Sequence, residues 1–205
     1  LIKLFVSGGI VMWPLLVLSI ISLACIFERV LFWIKLNKQN NVLINYILEN
    51  YEDKKNSKTF IQKLKSKDQN PYAKLTIEIL NLKITNLQEF NESINSLLSN
   101  IDNKLNKYGN IFGLTINISP LLGLLGTVIG LMNSFTFIDI GNVGRNAKEV
   151  TGGISEALVS TAYGLIIAIF TVVFLSYFNA CRNNEMFLIE EFAYKLRALY
   201  FKNFR

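Results

Sequence analysis

Three long apolar stretches alternate with polar segments along the 205 residues of the chain. Residues 8–34 hold one acidic and one basic group near their end, residues 111–138 hold no charge, and residues 154–178 hold only Glu156. Each stretch reaches the roughly 20 apolar residues that a helix needs to cross a bilayer. The pattern predicts an all-α integral membrane protein with three transmembrane helices.

The first stretch is interpreted as a retained span rather than as a secretory signal peptide. Its apolar run is longer than the roughly 7 to 15 residues at the core of a signal peptide. No cleavage site of small residues follows it. We therefore expect residues 8–34 to form transmembrane helix 1, residues 111–138 to form helix 2 and residues 154–178 to form helix 3.

The polar segments predict further helices. Residues 35–110 are rich in Asn, Lys, Glu and Ile and form the predicted cytoplasmic helical region, with a break before Pro71. From residue 87 to 108, apolar side chains recur every three or four positions, which indicates an amphipathic helix that runs straight into the second span. Residues 139–153 are expected to be a periplasmic loop, and residues 179–205 a cytoplasmic C-terminal helix.

The distribution of positive charge sets the predicted orientation. The net charge is +6, and 12 of the 21 Lys and Arg residues lie between the first and second spans, with five more after Cys181. Loops rich in Lys and Arg remain in the cytoplasm. The N-terminus is therefore predicted to be periplasmic and the C-terminus cytoplasmic. Because topology accounts for the basic residues, we predict no nucleic-acid binding.

The counts of histidine and cysteine exclude several kinds of chemistry. The chain has no histidine, so a histidine base, zinc ligand or near-neutral proton shuttle is excluded within it. Cys25 lies inside the first span and Cys181 just after the third, and two such cysteines are too few for a disulfide framework or a metal cluster. We expect no metal, no cofactor and no enzyme active site.

The second span carries a stripe of small or polar residues on an otherwise apolar helix. Its members follow steps of three and four residues: Pro120, Gly123, Thr127, Gly130 and Ser134. Gly126 and Gly130 also form a GxxxG pair, and small residues let helix backbones approach closely in lipid. The stripe is therefore predicted to be a helix-packing face.

Glu156 is the ionisable residue that needs an explanation in the third span. A carboxylate at membrane depth costs about 2.5 to 3.5 kcal/mol, so it should face protein or water. It is either a helix-start carboxylate near the outer interface, attracted by the helix dipole after Gly153, or a group that binds and releases a proton. Thr161 lies about 140° round the helix from Glu156, on a close-packing face that includes Gly164.

The charged pair at the inner end of the first span is interpreted differently. Glu28 and Arg29 are expected to snorkel toward water or to pair with each other. Glu28 is therefore left off the predicted proton route.

The three apolar stretches together resemble the MotA/TolQ/ExbB proton-channel proteins. The segments that carry the resemblance are SPLLGLLGTVIGLMNSF at 119–135, GGISEALVSTAYGLIIAI at 152–169 and, for ExbB-type members, GGIVMWPLLVLS at 8–19. They cover every predicted span and a third to a half of the chain. Ser160 and Tyr163 are more polar than the family pattern leads us to expect.

The resemblance implies a role in an energy-transducing motor of the bacterial inner membrane. It implies a homopentamer with long helical extensions into the cytoplasm, surrounding single-span ExbD- or TolR-type helices that each carry a membrane aspartate. The family's ion pathway falls on Thr127, Glu156 and Thr161. The packing face would then lie against neighbouring subunits and the central partner, and the proton-motive force would energise import through a TonB-like protein.

Other functions remain open at this stage. Within the family, a TolQ-like role in envelope integrity and constriction is the alternative, whereas a flagellar stator subunit would have four spans. Outside it, the chain is a proton-coupled carrier of small molecules or a scaffold without ion flux. The ion is expected to be the proton, with sodium as the alternative.

Overall fold

The computed structural model describes residues 8–54, 58–67, 70–81, 86–136 and 147–202 of the chain. These residues form six α-helices and no strand. In chain order the helices are α1 (Met12–Lys54), α2 (Lys58–Lys65), α3 (Pro71–Asn81), α4 (Leu87–Leu105), α5 (Gly109–Thr136) and α6 (Ala147–Lys202). The prediction of an all-α chain is confirmed for this part of the sequence.

Three of the helices are long and apolar enough to cross a membrane. The candidate spans lie in α1 from Met12 to Lys38, in the whole of α5, and in α6 from Val150 onward. The hydropathy pattern therefore predicted the correct number of spans. Large apolar side chains such as Leu121 and Ile169, 62% and 63% exposed, lie on the surfaces of α5 and α6, as expected for helices in lipid.

The chain divides into two compact units. The membrane unit contains the described residues within 1–28 and 108–177, and the charged unit contains those within 29–107 and 178–205. Helices α1 and α6 each contribute residues to both units.

A turn separates α4 from α5, which corrects the prediction of one helix running straight into the second span. Helix α4 ends at Leu105, and Tyr108 has a left-handed backbone with φ of 70°. Arg29 Nη1 donates a hydrogen bond to the Leu105 carbonyl oxygen at 3.0 Å. In an unbroken helix that oxygen would accept from the N–H of Gly109. The Arg29 guanidinium satisfies the carbonyl instead, so the helix can end there.

Arg29 is buried rather than snorkelling toward water. It is 3% exposed, and its guanidinium also lies 4.2 Å from the centre of the Phe32 ring. A carbonyl oxygen and an aromatic face both interact favourably with a guanidinium. These contacts within the chain explain why the expectation of snorkelling was wrong for Arg29. The alternative expectation, that Glu28 and Arg29 pair with each other, stays a prediction.

Helix α6 begins at Ala147, inside the stretch 139–153 that was predicted to be a loop. The rest of that predicted loop, residues 139–146, lies outside the described residues. The helix continues through Gly152 and Gly153, although glycine disfavours helix interiors by about 1 kcal/mol. A Cβ atom on Gly153 would lie only 2.7 Å from the carbonyl oxygen of Gly130 on α5. This close packing favours the helix over the loop that local propensity predicted.

The charged unit has an aromatic core. Tyr72 of α3 packs edge-on against Phe192 of α6, with ring centres 5.2 Å apart. Phe90 of α4 lies 4.9 Å from Tyr200 of α6, again between ring centres. Of the apolar face predicted for residues 87–108, four residues of α4 are buried: Phe90, Ile94, Ile101 and Leu105. Leu87, at the start of the helix, is 51% exposed.

Candidate functional site

Helices α5 and α6 approach each other along a run of small residues, here called the small-residue seam. Its members are Ser119, Gly123, Gly126, Gly130 and Ser134 on α5, and Gly153, Ala157, Ser160 and Gly164 on α6. A Cβ atom on Gly130 would lie 2.7 Å from the Gly153 carbonyl oxygen and 2.9 Å from the Ala157 nitrogen. Backbone atoms cannot rotate away, so the seam has no room for a side chain at Gly130.

The remaining small residues singled out in the sequence lie in this seam or beside it. A Cβ atom on Gly126 would overlap the side chain of Ser160, and one on Gly164 would overlap the carbonyl oxygen of Ser119. Pro120 is half-buried next to Ser119. We expected neighbouring subunits and a central partner on this face, but α6 of the same chain covers it. Two antiparallel helices of one chain can close such a face without a second copy.

Two hydroxyl groups of α6 face one carbonyl oxygen in the seam. Thr161 Oγ1 donates to the Gly123 carbonyl oxygen at 2.9 Å. Ser160 Oγ lies 3.4 Å from the same oxygen and 2.9 Å from that of Ala157. Hydrogen bonds between helices in lipid contribute about 0.6 to 2 kcal/mol. The hydroxyl of Thr161 therefore helps to fix the register of α5 against α6.

Thr127 lies close to the same point of the seam. It is half-buried, and its hydroxyl donates to the Leu124 carbonyl oxygen at 2.6 Å. Within α5 the backbone N–H of Thr127 has the Gly123 carbonyl as its helical acceptor. The two threonines thus converge on Gly123, one through its backbone and Thr161 through its hydroxyl. Both hydroxyl oxygens retain lone pairs that can accept a hydrogen bond.

Glu156 lies well inside α6 rather than at its start. It is half-buried and follows Ala147, the first helical residue, by nine positions or about 14 Å. The helix dipole acts mainly within the first turn. The structure therefore overturns the alternative in which Glu156 is a helix-start carboxylate.

The Glu156 carboxyl lies on the side of α6 that faces the beginning of α1. One of its oxygens occupies the place where a Cβ atom on Gly9 would be. Tyr163, on the same side of α6, packs against the apolar cluster of Val11, Met12 and Leu15. Thr161 instead faces α5, so within one chain the structure does not bring Glu156 together with the two threonines.

A buried pair of hydroxyls joins α1 to α6 and was not found from the sequence. Ser22 Oγ lies 3.0 Å from Thr171 Oγ1, and both residues are at most 2% exposed. Thr171 donates its own hydrogen to the Ile167 carbonyl oxygen at 2.8 Å, so Ser22 is the donor of the pair. Each hydroxyl interrupts an apolar run, and this interruption is the feature of the sequence that could have drawn attention to it. The sequence could not show that the two hydroxyls meet, because no spacing rule links positions 149 residues apart.

Outside the predicted spans, the charged unit holds a buried acid that the sequence analysis also missed. Glu185 is 7% exposed, and Asn40 Nδ2 donates to its Oε1 at 2.7 Å. Asn70 Nδ2 in turn donates to Asn40 Oδ1 at 3.1 Å. Burial raises the pKa of the Glu185 carboxyl, partly opposed by polar interactions with Tyr72 and Asn40. Glu185 lies in a segment rich in charge, where one more acid carries no special signal.

Comparison with known proteins connects these features to a family. The sequence pattern of the MotA/TolQ/ExbB proton channel family matches residues 54–191, more than half of the chain. The chain belongs to the MotA/TolQ/ExbB proton channel family. The matched residues include the whole of α5, the seam and Glu156, but not the turn that precedes α1.

Individual relatives in this family are of the ExbB type. ExbB-like protein 3 of Synechocystis sp. is 38% identical over 195 residues, covering 95% of this chain and 92% of that protein. ExbB-like protein 1 of the same organism is 29% identical over 185 residues, covering 89% and 72%. Biopolymer transport protein ExbB of Salmonella typhimurium is 48% identical over 71 residues, covering 34% and 29%. The family is one of membrane proton channels and transport proteins.

Proposed function

We propose that this chain is the proton-conducting subunit of an ExbB-type motor in the bacterial inner membrane. It uses the proton-motive force together with a single-span ExbD-type partner to energise TonB-dependent import across the outer membrane. The observation that carries the proposal is the half-buried carboxyl of Glu156, which lies well inside α6 in an otherwise uncharged apolar segment. An ionisable group at such a position is typical of a proton relay.

The proposed mechanism assigns proton binding and release to Glu156. A proton that crosses 100 mV releases about 2.3 kcal/mol, which is the energy available for each step of the motor. One carboxyl cannot bridge the ~30 Å of hydrocarbon alone. A partner helix that carries a second carboxyl completes the relay, and its alternating protonation couples ion flow to movement.

The two threonines supply hydrogen-bond acceptors along this route. Because Thr127 and Thr161 donate their hydrogens to backbone carbonyls, their oxygens are left to accept from water or from a protonated carboxyl. Such acceptors orient a proton donor without carrying charge themselves. The proposed ion pathway therefore consists of Glu156, Thr127 and Thr161.

A path through these three residues requires more than one chain. Glu156 lies on the α1 side of α6 and Thr161 on the α5 side, so a neighbouring surface must complete the route. Apolar side chains of α5 that face away from the seam, such as Leu124 and Val128, are 57% and 49% exposed and are suited to contacts with lipid or other subunits. We propose a homopentamer with periplasmic N-termini and cytoplasmic C-termini.

Proton flux into liposomes tests the role of Glu156. The full chain is coexpressed and co-purified with a single-span ExbD-type protein and reconstituted, and a potassium diffusion potential drives the flux. Glu156→Gln should reduce the flux by about 100-fold, because positioned proton carriers contribute factors of 10² to 10⁴. Glu191→Gln is the matched control, since this surface carboxylate lies outside the predicted spans and pairs with Lys195 at 2.7 Å, one helical turn away.

The same measurement separates the competing functions. Unchanged flux in Glu156→Gln would contradict the proposal. Flux of the unmodified chain no higher than that of protein-free liposomes would favour a scaffold without ion flux. Flux that appears only with a cationic substrate would favour a proton-coupled carrier. The ExbB-type role is preferred over the TolQ-like role because the relatives reported above are named ExbB or ExbB-like. A Tol/Pal-type neighbouring gene would favour the TolQ-like role instead.

A further inference from the structure

We propose that Gly9 is a positioning residue for Glu156. The turn that precedes α1 provides a seat for the carboxyl, and only a residue without a side chain can form that seat. This inference rests on the proposed role of Glu156 in proton transfer and extends it to a residue outside the segment that matches the family pattern.

Direct contact between the turn and the carboxyl carries the proposal. A Cβ atom built on Gly9 would overlap Oε1 of Glu156, and it would lie 2.6 Å from the carboxyl carbon and 3.1 Å from Cγ. These distances mean that the end of the Glu156 side chain fills the space beside the Gly9 backbone. Any other residue at position 9 would displace the carboxyl.

The turn is held in place independently of Glu156. The Met12 N–H donates to the Gly9 carbonyl oxygen at 3.2 Å, and the Trp13 N–H donates to that of Ile10 at 3.3 Å. Just beyond it, Val11, Met12 and Leu15 are at most 5% exposed in an apolar cluster. The seat is therefore part of the packed start of α1 rather than a loose end.

No cation holds Glu156 in place among the described residues, where no ion pair to it is found. The close contact with the Gly9 backbone limits the positions that its carboxyl can take. A carboxyl kept against the turn binds its proton at a fixed distance from the next group on the route. Misplacement by about 1 Å can slow a transfer step by up to 100-fold.

Gly9 has a second reason to be glycine, which the experiment must separate from the first. Its φ is +72°, a left-handed conformation that most residues adopt only with strain. Asparagine tolerates this conformation much better than alanine does. Both residues nevertheless carry the Cβ atom that would displace the carboxyl. A contact effect therefore predicts equal results for Gly9→Ala and Gly9→Asn, whereas a strain effect predicts a much milder result for asparagine.

Gly8→Ala is the matched control in the same turn. A Cβ atom on Gly8 would meet Cγ and Sδ of Met12 at 2.5 and 2.6 Å, and Val159 Cγ1 at 3.3 Å. The flexible Met12 side chain can move away, so this substitution adds a methyl group without touching Glu156. It should leave the behaviour of Glu156 unchanged.

The test uses the full chain in membranes with its co-purified partner and has two readouts. The first is the rate at which a hydrophobic carbodiimide modifies Glu156, followed by mass spectrometry. The second is the pH profile of proton flux. We expect Gly9→Ala and Gly9→Asn alike to raise the modification rate, to reduce flux roughly tenfold and to shift its pH profile, since the carboxyl leaves its seat.

Other outcomes would overturn the inference. Unchanged modification in both Gly9 variants would show that the turn does not position Glu156, and a loss confined to Gly9→Ala would assign the effect to backbone strain. In Glu156→Asp, whose carboxyl is one methylene further from the turn, Gly9→Asn should change the modification rate less than in the wild type. Carbodiimide modification of Glu156 does not require proton flux. If the Gly9 variants change the modification rate as predicted but the flux does not depend on Glu156, the proposed function is wrong while the positioning role of Gly9 stands.

Discussion

At the scale of single residues, α6 carries two carboxyls with different surroundings. Glu156 rests against the Gly9 turn in the membrane unit, whereas Glu185 accepts a hydrogen bond from Asn40 inside the charged unit. Sequence reasoning found Glu156 because an acid in an apolar run is conspicuous. It missed Glu185, because a buried acid in a segment rich in charge does not stand out. It missed Gly9, because a contact between residues 147 positions apart leaves no periodic pattern.

The buried acid predicts how stability depends on pH. Because the native pKa of Glu185 is raised above its ordinary value of 4.5, the native state binds the proton more tightly than the unfolded state does. The resulting stabilisation is complete below pH 4.5 and is lost as pH rises through the native pKa. Glu185→Gln keeps an acceptor for Asn40 but removes the buried charge, so it should raise the melting temperature at neutral pH and weaken its pH dependence.

Thermal unfolding followed by circular dichroism between pH 4.5 and 8 measures this effect. A gain of about 1 kcal/mol corresponds to about 2 to 4 °C in a chain of this size. The surface variant Glu191→Gln should leave the pH dependence as it is in the wild type. A lower melting temperature for Glu185→Gln at neutral pH would mean that the charge of this carboxyl stabilises the fold.

At the scale of helices, the seam makes opposite predictions for two glycines of α5. In Gly130→Ala the added Cβ would meet backbone atoms at 2.7 and 2.9 Å, so the helices must separate, at a cost of about 1 to 3 kcal/mol. Gly113 has nothing within 4 Å of its Cβ position. Gly113→Ala should stabilise α5 slightly, by up to about 1 kcal/mol, because alanine favours helix.

Unfolding in a graded detergent mixture, together with the yield of assembled complex, compares these two variants. Gly130→Ala should lower both quantities relative to Gly113→Ala. Equal stability and equal yield would remove the account of the seam as a face packed by backbone contact.

Hydropathy predicted the helices themselves better than it predicted their ends. The three spans could be predicted from long uncharged runs, because the thickness of the bilayer, and not contact with other helices, sets the length of a span. The end of α4 depends on Arg29, which reaches the Leu105 carbonyl oxygen from another helix. The start of α6 depends on Gly153 packing against Gly130. Both ends are set by tertiary contacts, which no local pattern contains.

At the scale of the whole molecule, the proposed proton route requires an assembly. Within one chain the seam is already filled by α6, and Glu156 is separated from the threonines around that helix. A proton route therefore needs surfaces from further copies and a second carboxyl from a partner.

The most direct test of this central claim is native mass spectrometry of the full chain in mild detergent, alone and coexpressed with a single-span ExbD-type protein. We predict a complex that takes up the partner, because a single Glu156 does not provide a complete route, and the family resemblance implies that it contains five copies of this chain. A monomer or dimer that binds no partner yet still conducts protons would contradict it.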